Sequence, residues 1–80
     1  PMKRSDIPNL DDLRAFETVA RLGSVRAAAN ELALTHGAVS RRVSKLAQGL
    51  RLRLVEPDGR GLRLTPDGER LAEAVEKAFG

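Results

Sequence analysis

Few residues of this 80-residue chain are equipped for covalent or metal chemistry. His36 is the single histidine and there is no cysteine, so neither a thiolate site nor a histidine pair can be assembled. The acid pairs Asp11-Asp12 and Asp67-Glu69 stand at predicted helix starts, where the helix dipole explains a carboxylate without any catalytic role. No glycine-rich phosphate loop, nucleophile elbow or zinc spacing occurs. We therefore expect no enzyme, no catalytic residue, no cofactor and no metal. What remains is a run of small polar and cationic side chains: Thr35, His36, Gly37, Ser40, Arg41, Arg42, Ser44 and Lys45, followed by Arg53, Arg60 and Arg63. No aspartate or glutamate interrupts residues 35–55. The chemistry open to such a set is non-covalent recognition of a polyanion. Arginine can pair in bidentate fashion with phosphate or with the edge of guanine.

The element that must present these groups is a helix over 35–50, THGAVSRRVSKLAQGL. Thr35 suits the N-cap, because its hydroxyl can accept from an unpaired amide of the first turn. Val39, Val43, Leu46 and Leu50 recur at steps of four, three and four, which makes one buried stripe. The opposite face carries Gly37, Arg41, Ser44 and Gln48, flanked by Ser40 and Lys45. Arg42 falls at the edge of the buried face, a position for a phosphate contact or an internal ion pair. A charged outer face is also what an ordinary solvated helix shows, although such faces normally mix both signs. The flanking elements decide between the two.

Upstream, Asn9 caps a predicted helix over 10–22, with Leu10, Leu13, Phe16, Val19 and Ala20 on its apolar side and Gly23 at its C-cap. Ser24 caps a second helix, in which Val25, Ala28, Ala29 and Leu32 are apolar. The alanine triplet at 27–29 permits a close helix crossing, and Leu34 fills the turn before Thr35. Downstream, Gly49 weakens the third helix and residues 50–55 read as a strand, with Leu52 and Leu54 on one side and Arg51, Arg53 and Val55 on the other. The EPDGRG segment reads as a turn, and residues 62–64 as a second strand of a β-hairpin with Arg60 at its tip and Arg63 outside. Thr65-Pro66 opens a last helix, whose stripe of Leu71, Ala74, Val75, Ala78 and Phe79 runs to the end of the sequence.

The predicted fold is mainly α, a winged helix-turn-helix: a three-helix core, a two-stranded wing and the start of a C-terminal linker helix. Three segments are expected: a flexible N-terminus over 1–9, in which Pro1 ahead of Met2 is an expression remnant, a recognition domain over 10–64, and a linker helix over 65–80. The helix is still amphipathic where the sequence stops, so it is expected to continue in a longer protein. Aromatics amount to 2%, too few to stack bases of single-stranded nucleic acid. Net charge is +3, and it is localised: residues 1–40 hold five basic and five acidic groups, residues 41–80 nine and six. No run is apolar and long enough for a membrane span and no secretory signal is present, so a cytoplasmic protein without a membrane partner is expected.

LRAFETVARLGSVRAAANELALTHGAVSRRVSKL, followed by RGLRLTPDG, resembles the N-terminal domain of LysR-type transcriptional regulators, without a gap from Leu10 to Gly68. The wording THGAVS and RGLRLT is nearest the branch that includes the glycine-cleavage and β-lactamase regulators. The resemblance implies a bacterial transcription factor, a dimer formed through the linker helix, and a C-terminal domain, absent here, that binds a small-molecule effector. By the same resemblance, Thr35 matches a capping residue that also contacts phosphate, Ser40-Arg41 a groove-facing pair, and Arg60 a wing arginine that reaches the minor groove. His36 and Gly37 depart from the frequent glutamine and proline or serine. Ala47, Arg51, Val55 and Pro57 stand where glutamate, glycine, phenylalanine and arginine are frequent. The leading function is sequence-specific binding of double-stranded DNA at an inverted-repeat operator. The alternative is a winged-helix module that contacts an acidic protein without binding DNA. Leu71, Val75, Ala78 and Phe79 are expected to form the dimer seam, because the core looks too small to cover them.

Overall fold

The computed structural model of the chain describes residues 8–79, and the mobility expected of the N-terminus concerns residues that lie almost entirely outside that range. Four helices and one hairpin follow in order: α1 Leu10–Leu22, α2 Val25–Leu32, α3 His36–Leu50, β1 Val55–Asp58, β2 Gly61–Leu64 and α4 Pro66–Phe79. Helix starts sit where capping side chains are available. Asn9 Oδ1 accepts from the Asp11 amide at 2.7 Å, Ser24 Oγ from Ala27 at 3.1 Å, and Thr35 Oγ1 from Ala38 at 3.0 Å. Gly23 ends α1 at φ 69, and its amide returns to the Val19 carbonyl at 2.7 Å.

The core is one cluster fed by three helices and one loop residue. Ala15, Phe16 and Val19 come from α1, Ala28 and Ala29 from α2, Val39, Val43 and Leu46 from α3, and Leu54 from the segment that follows. The two alanines let α2 lie close to its neighbours, as expected for a helix pair joined by a tight turn. That turn is made by Ala33 in the left-handed region at φ 56, with Leu34 half-buried against the core. Leu10, expected on the apolar side of α1, is 59% exposed.

The wing lies later in the chain than its sequence pattern suggested. Arg51 closes α3 in the left-handed conformation at φ 58, and the Leu52 amide turns back to the Ala47 carbonyl at 3.0 Å. That reversal prevents residues 50–55 from extending as a strand. Leu52 and Leu54 do not share a face: Leu54 is buried while Leu52 is 39% exposed. Pairing begins at Val55, and the register is Val55 with Leu64, Glu56 with Arg63, Pro57 with Leu62 and Asp58 with Gly61. The turn therefore shrinks to Gly59-Arg60, with Gly59 at φ 63 supplying the positive angle that a two-residue hairpin needs at its first position. Pro57 is tolerated because each strand of a two-stranded sheet is an edge.

The start of α4 is fastened to the base of the wing. The Thr65 amide donates to the Leu54 carbonyl at 3.0 Å, the Thr65 hydroxyl donates to the Arg53 carbonyl, and Thr65 Oγ1 accepts from the Gly68 amide at 3.0 Å. Contrary to the expectation that the core is too small to cover its stripe, α4 packs on α1. Val75 is buried and Leu71 half-buried, while Ala78 and Phe79 stay exposed. The core thus covers half of the stripe expected to be open. The Arg14 guanidinium sits 5.1 Å from the centroid of the Phe79 ring and covers part of the rest.

Candidate nucleic-acid interface

The positive end of α3 is the natural anchor of the site. The first turn of α1 holds Asp11 and Asp12 and that of α4 holds Asp67 and Glu69, whereas α3 has no acid in its first turn. Thr35 satisfies the Ala38 amide, and the Val39 amide reaches the Thr35 carbonyl at 3.1 Å. His36 and Gly37 are exposed in the first turn, where helical amides lack a partner within the helix, as in helix N-termini that receive phosphate.

The outward face of α3 carries what its spacing placed there. His36, Gly37, Arg41, Ser44, Lys45 and Gln48 are exposed, and Ser40 is half-buried at the edge toward the wing. Among the described residues, Arg41 has no carboxylate within ion-pair distance. Its guanidinium folds back over Gly37, with Nη1 3.2 Å from where a Cβ at that residue would stand. Glycine at 37 therefore makes room for the arginine one turn later. A shallow groove of about 280 Å³ separates α3 from the wing, with Ser40 and Ser44 on one wall and Glu56, Pro57 and Leu62 on the other.

The remaining cations differ in their surroundings. Arg42 is half-buried with Nη1 3.6 Å from Asp11 Oδ2, the internal ion pair its position allowed. Lys45 Nζ stands 3.9 Å from Asp12 Oδ2. Arg63 donates from Nε to Glu56 Oε1 at 2.8 Å, and this hydrogen bond, with the nearby Asp58 charge, raises its pKa further above the ordinary arginine value. Arg53 is exposed but lies on the irregular segment before β1, and Arg60 is exposed at the hairpin turn. The sequence reading explained Asp11 and Asp12 by the dipole alone. The signal for a second role was present: Asp12, Phe16 and Val19 share one helical face, and Asp12 is indeed 5% exposed beside α3.

Among the described residues no group of three histidine, cysteine, aspartate or glutamate side chains could hold a metal ion, and no helix is long and apolar enough to cross a membrane.

A family model described as bacterial regulatory helix-turn-helix protein, lysR family, matches residues 10–69. This chain belongs to the LysR family. The LysR-family chain is 53% identical over 74 residues to the HTH-type transcriptional regulator TrpI of Pseudomonas aeruginosa, a match that covers 92% of this chain and 25% of that protein. Two solved structures share its fold at 28% identity. One is the BenM DBD in complex with catB site 1 DNA, with a TM-score of 0.84 over 89% of this chain and 79% of that one. The other is the CbnR DBD–DNA complex, with a TM-score of 0.83 over 89% and 82%. The LysR-family chain spans about a quarter of the length of the curated relatives it matches.

Proposed function

We propose that this LysR-family domain binds double-stranded DNA as the recognition module of a transcriptional regulator, with α3 in the major groove and the β1–β2 wing at the minor groove. The observation that carries this reading is the outward face of α3. It joins an acid-free helix start, small residues at its tip and Arg41, which has no carboxylate partner among the described residues, on one exposed surface. A helix is the element that fits the major groove, and an exposed arginine on its outer face can reach a guanine edge. The DNA complexes recorded for the BenM and CbnR domains support the same use of this fold. Within the reading, Thr35, His36 and Gly37 make close or phosphate contacts at the helix start, while Ser40 and Ser44 flank Arg41 further along the same face. Arg42 and Lys45 face the backbone beside the helix, Arg53 and Arg63 the backbone at the wing, and Arg60 enters the minor groove, where narrow A·T tracts attract arginine.

The reading extends to assembly. Ala78 and Phe79, with Leu71 and Val75 beneath them, give α4 an apolar end that a second copy would cover. A two-fold pair would set two α3 helices about 34 Å apart, or a multiple of it, to suit an inverted-repeat operator. Effector binding would then belong to the part of the full-length relatives that this chain does not span, and the working compartment would be the cytoplasm, where the DNA is. Fluorescence anisotropy with mixed-sequence duplex at two salt concentrations tests the core of the proposal. Log K should fall by roughly 0.9 per phosphate neutralised for each unit of log salt. Binding that ignores salt would refute DNA recognition and favour an acidic protein partner. Sedimentation on a palindromic duplex tests the pairing, which one protein per two-half-site duplex at excess protein would exclude.

A further inference from the structure

The cations around α3 and the wing fall into two groups. Arg41, Arg51, Arg53 and Arg60 have no carboxylate within ion-pair distance among the described residues, while Arg42, Lys45 and Arg63 each have one. The fold places the three acids beside these cations, although the Asp11 side chain is itself 70% exposed. Asp11 and Asp12 begin α1, whose positive end favours them, and the Asp12 side chain is only 8% exposed. Glu56 stands directly across the hairpin from Arg63 in the register of the two strands. Each acid therefore stands within ion-pair reach of its cation, at 3.6 Å for Arg42, 3.9 Å for Lys45 and 2.8 Å for Arg63.

We infer that Asp11, Asp12 and Glu56 act as built-in counterions, which weaken the grip of Arg42, Lys45 and Arg63 on phosphate and so raise the ratio of sequence-specific to non-specific DNA binding. This rests on the DNA-binding reading above. Non-specific binding comes almost wholly from neutralising phosphates and releasing the ions condensed on them. A cation that already shares its charge with a fixed carboxylate brings little net charge to a phosphate and releases little. Arg41, which carries the base-reading role, is untouched by this discount. In non-specific complexes the protein can take many orientations and would use every unmasked cation. In the specific complex the fit of α3 fixes which phosphates come within reach. Masking three cations thus costs the non-specific mode more. The acids are specificity determinants that act through their partners, and none needs to touch DNA.

The test uses this chain with two duplexes, one scrambled and one selected by the unaltered chain from a random pool. Asp11→Asn, Asp12→Asn and Glu56→Gln, singly and together, should each steepen the slope of log K against log salt on scrambled DNA by up to about 0.9. Between about 50 and 200 mM salt that is roughly a threefold larger loss of binding per unmasked cation. The triple variant should also show a smaller ratio of selected to scrambled affinity. Arg42→Gln alone should lower the slope little, whereas added to Asp11→Asn it should undo the steepening, a difference that a merely structural role for Asp11 would not produce. Should Asp12→Asn unfold the helix start, Glu56→Gln on the exposed hairpin carries the same test alone. Slopes and ratios that stay at the unaltered values in folded variants would overturn the inference. Failure of the unaltered chain to bind either duplex at low salt would overturn the DNA reading instead, and is told apart by that control.

Discussion

Replacing Gly68 by alanine tests how closely α4 is joined to the base of the wing. A Cβ at residue 68 would stand 2.0 Å from the Leu54 carbonyl oxygen, 3.0 Å from its carbon and 3.3 Å from its Cα. An ordinary carbon–oxygen contact is about 3.3 Å, so backbone must move against backbone by more than an ångström. The movement falls on the bonds from Thr65 to the Leu54 and Arg53 carbonyls. Overpacking of this kind costs about 1–3 kcal/mol, and each weakened hydrogen bond about 0.5–1.5 kcal/mol. Alanine regains at most about 1 kcal/mol of helix propensity. The net expectation is a loss of about 3 kcal/mol, read as a lower urea midpoint followed by far-ultraviolet circular dichroism. Gly49 in α3 supplies the contrast, because a Cβ there meets nothing within 4 Å. Gly49→Ala should gain up to about 1 kcal/mol from the same propensity. If Gly68→Ala is as stabilising as Gly49→Ala, the close approach of α4 to Leu54 is wrong.

Arg41→Ala should weaken binding to a preferred duplex by about 1–3 kcal/mol and relax discrimination, as for loss of a bidentate base contact; equal losses on scrambled DNA would mean that it touches phosphate only. Arg51→Gly should stabilise the domain by up to about 1 kcal/mol in a thermal melt, because glycine removes the cost of the left-handed conformation that ends α3, and only part of that gain is lost to a more flexible unfolded chain. Acid should loosen the junction of α1 and α2. The hydrogen bond and charge of Arg21 hold the Glu31 carboxyl below its ordinary value of 4.5, so the pair's stabilisation is present above that pH and is lost as pH falls through the lower, folded value. Glu31→Gln should flatten the pH dependence of stability in that window, and an unchanged acid limb would show that the exposed pair contributes nothing.

The parts of the fold that read directly from the sequence are those set by local chemistry. Asn9, Ser24, Thr35 and Thr65 cap the helices they were expected to cap, and Gly23 ends α1 as glycine should. The outward face of α3 followed from a period of 3.6 alone. The wing start did not, because Leu52 and Leu54 alternate with arginines in a strand-like way. Only the left-handed Arg51, a conformation no arginine advertises, diverts the chain. Likewise Ala33 reaches positive φ because the packing of α2 on α3 demands the turn there. The course of α4 was missed because the stripe of Leu71 and Val75 states that something covers it without saying that α1 does. Ion pairs such as Lys45 with Asp12 join residues far apart in sequence, so they emerge only once α1 and α3 are packed.

The near absence of aromatic residues makes the molecule unusually simple to watch. It has no tryptophan, no tyrosine and two phenylalanines, so it is nearly dark at 280 nm and has no intrinsic indole emission. One ring, Phe16, is fully enclosed in the core, and the other, Phe79, lies under Arg14 where α4 meets α1. In a proton NMR spectrum the two rings therefore report on separate events. Methyl groups shifted by Phe16 lose their shifts only when the domain unfolds, whereas the side-chain protons of Arg14 lose theirs as soon as the end of α4 lifts. A single tryptophan introduced anywhere would glow against an empty background.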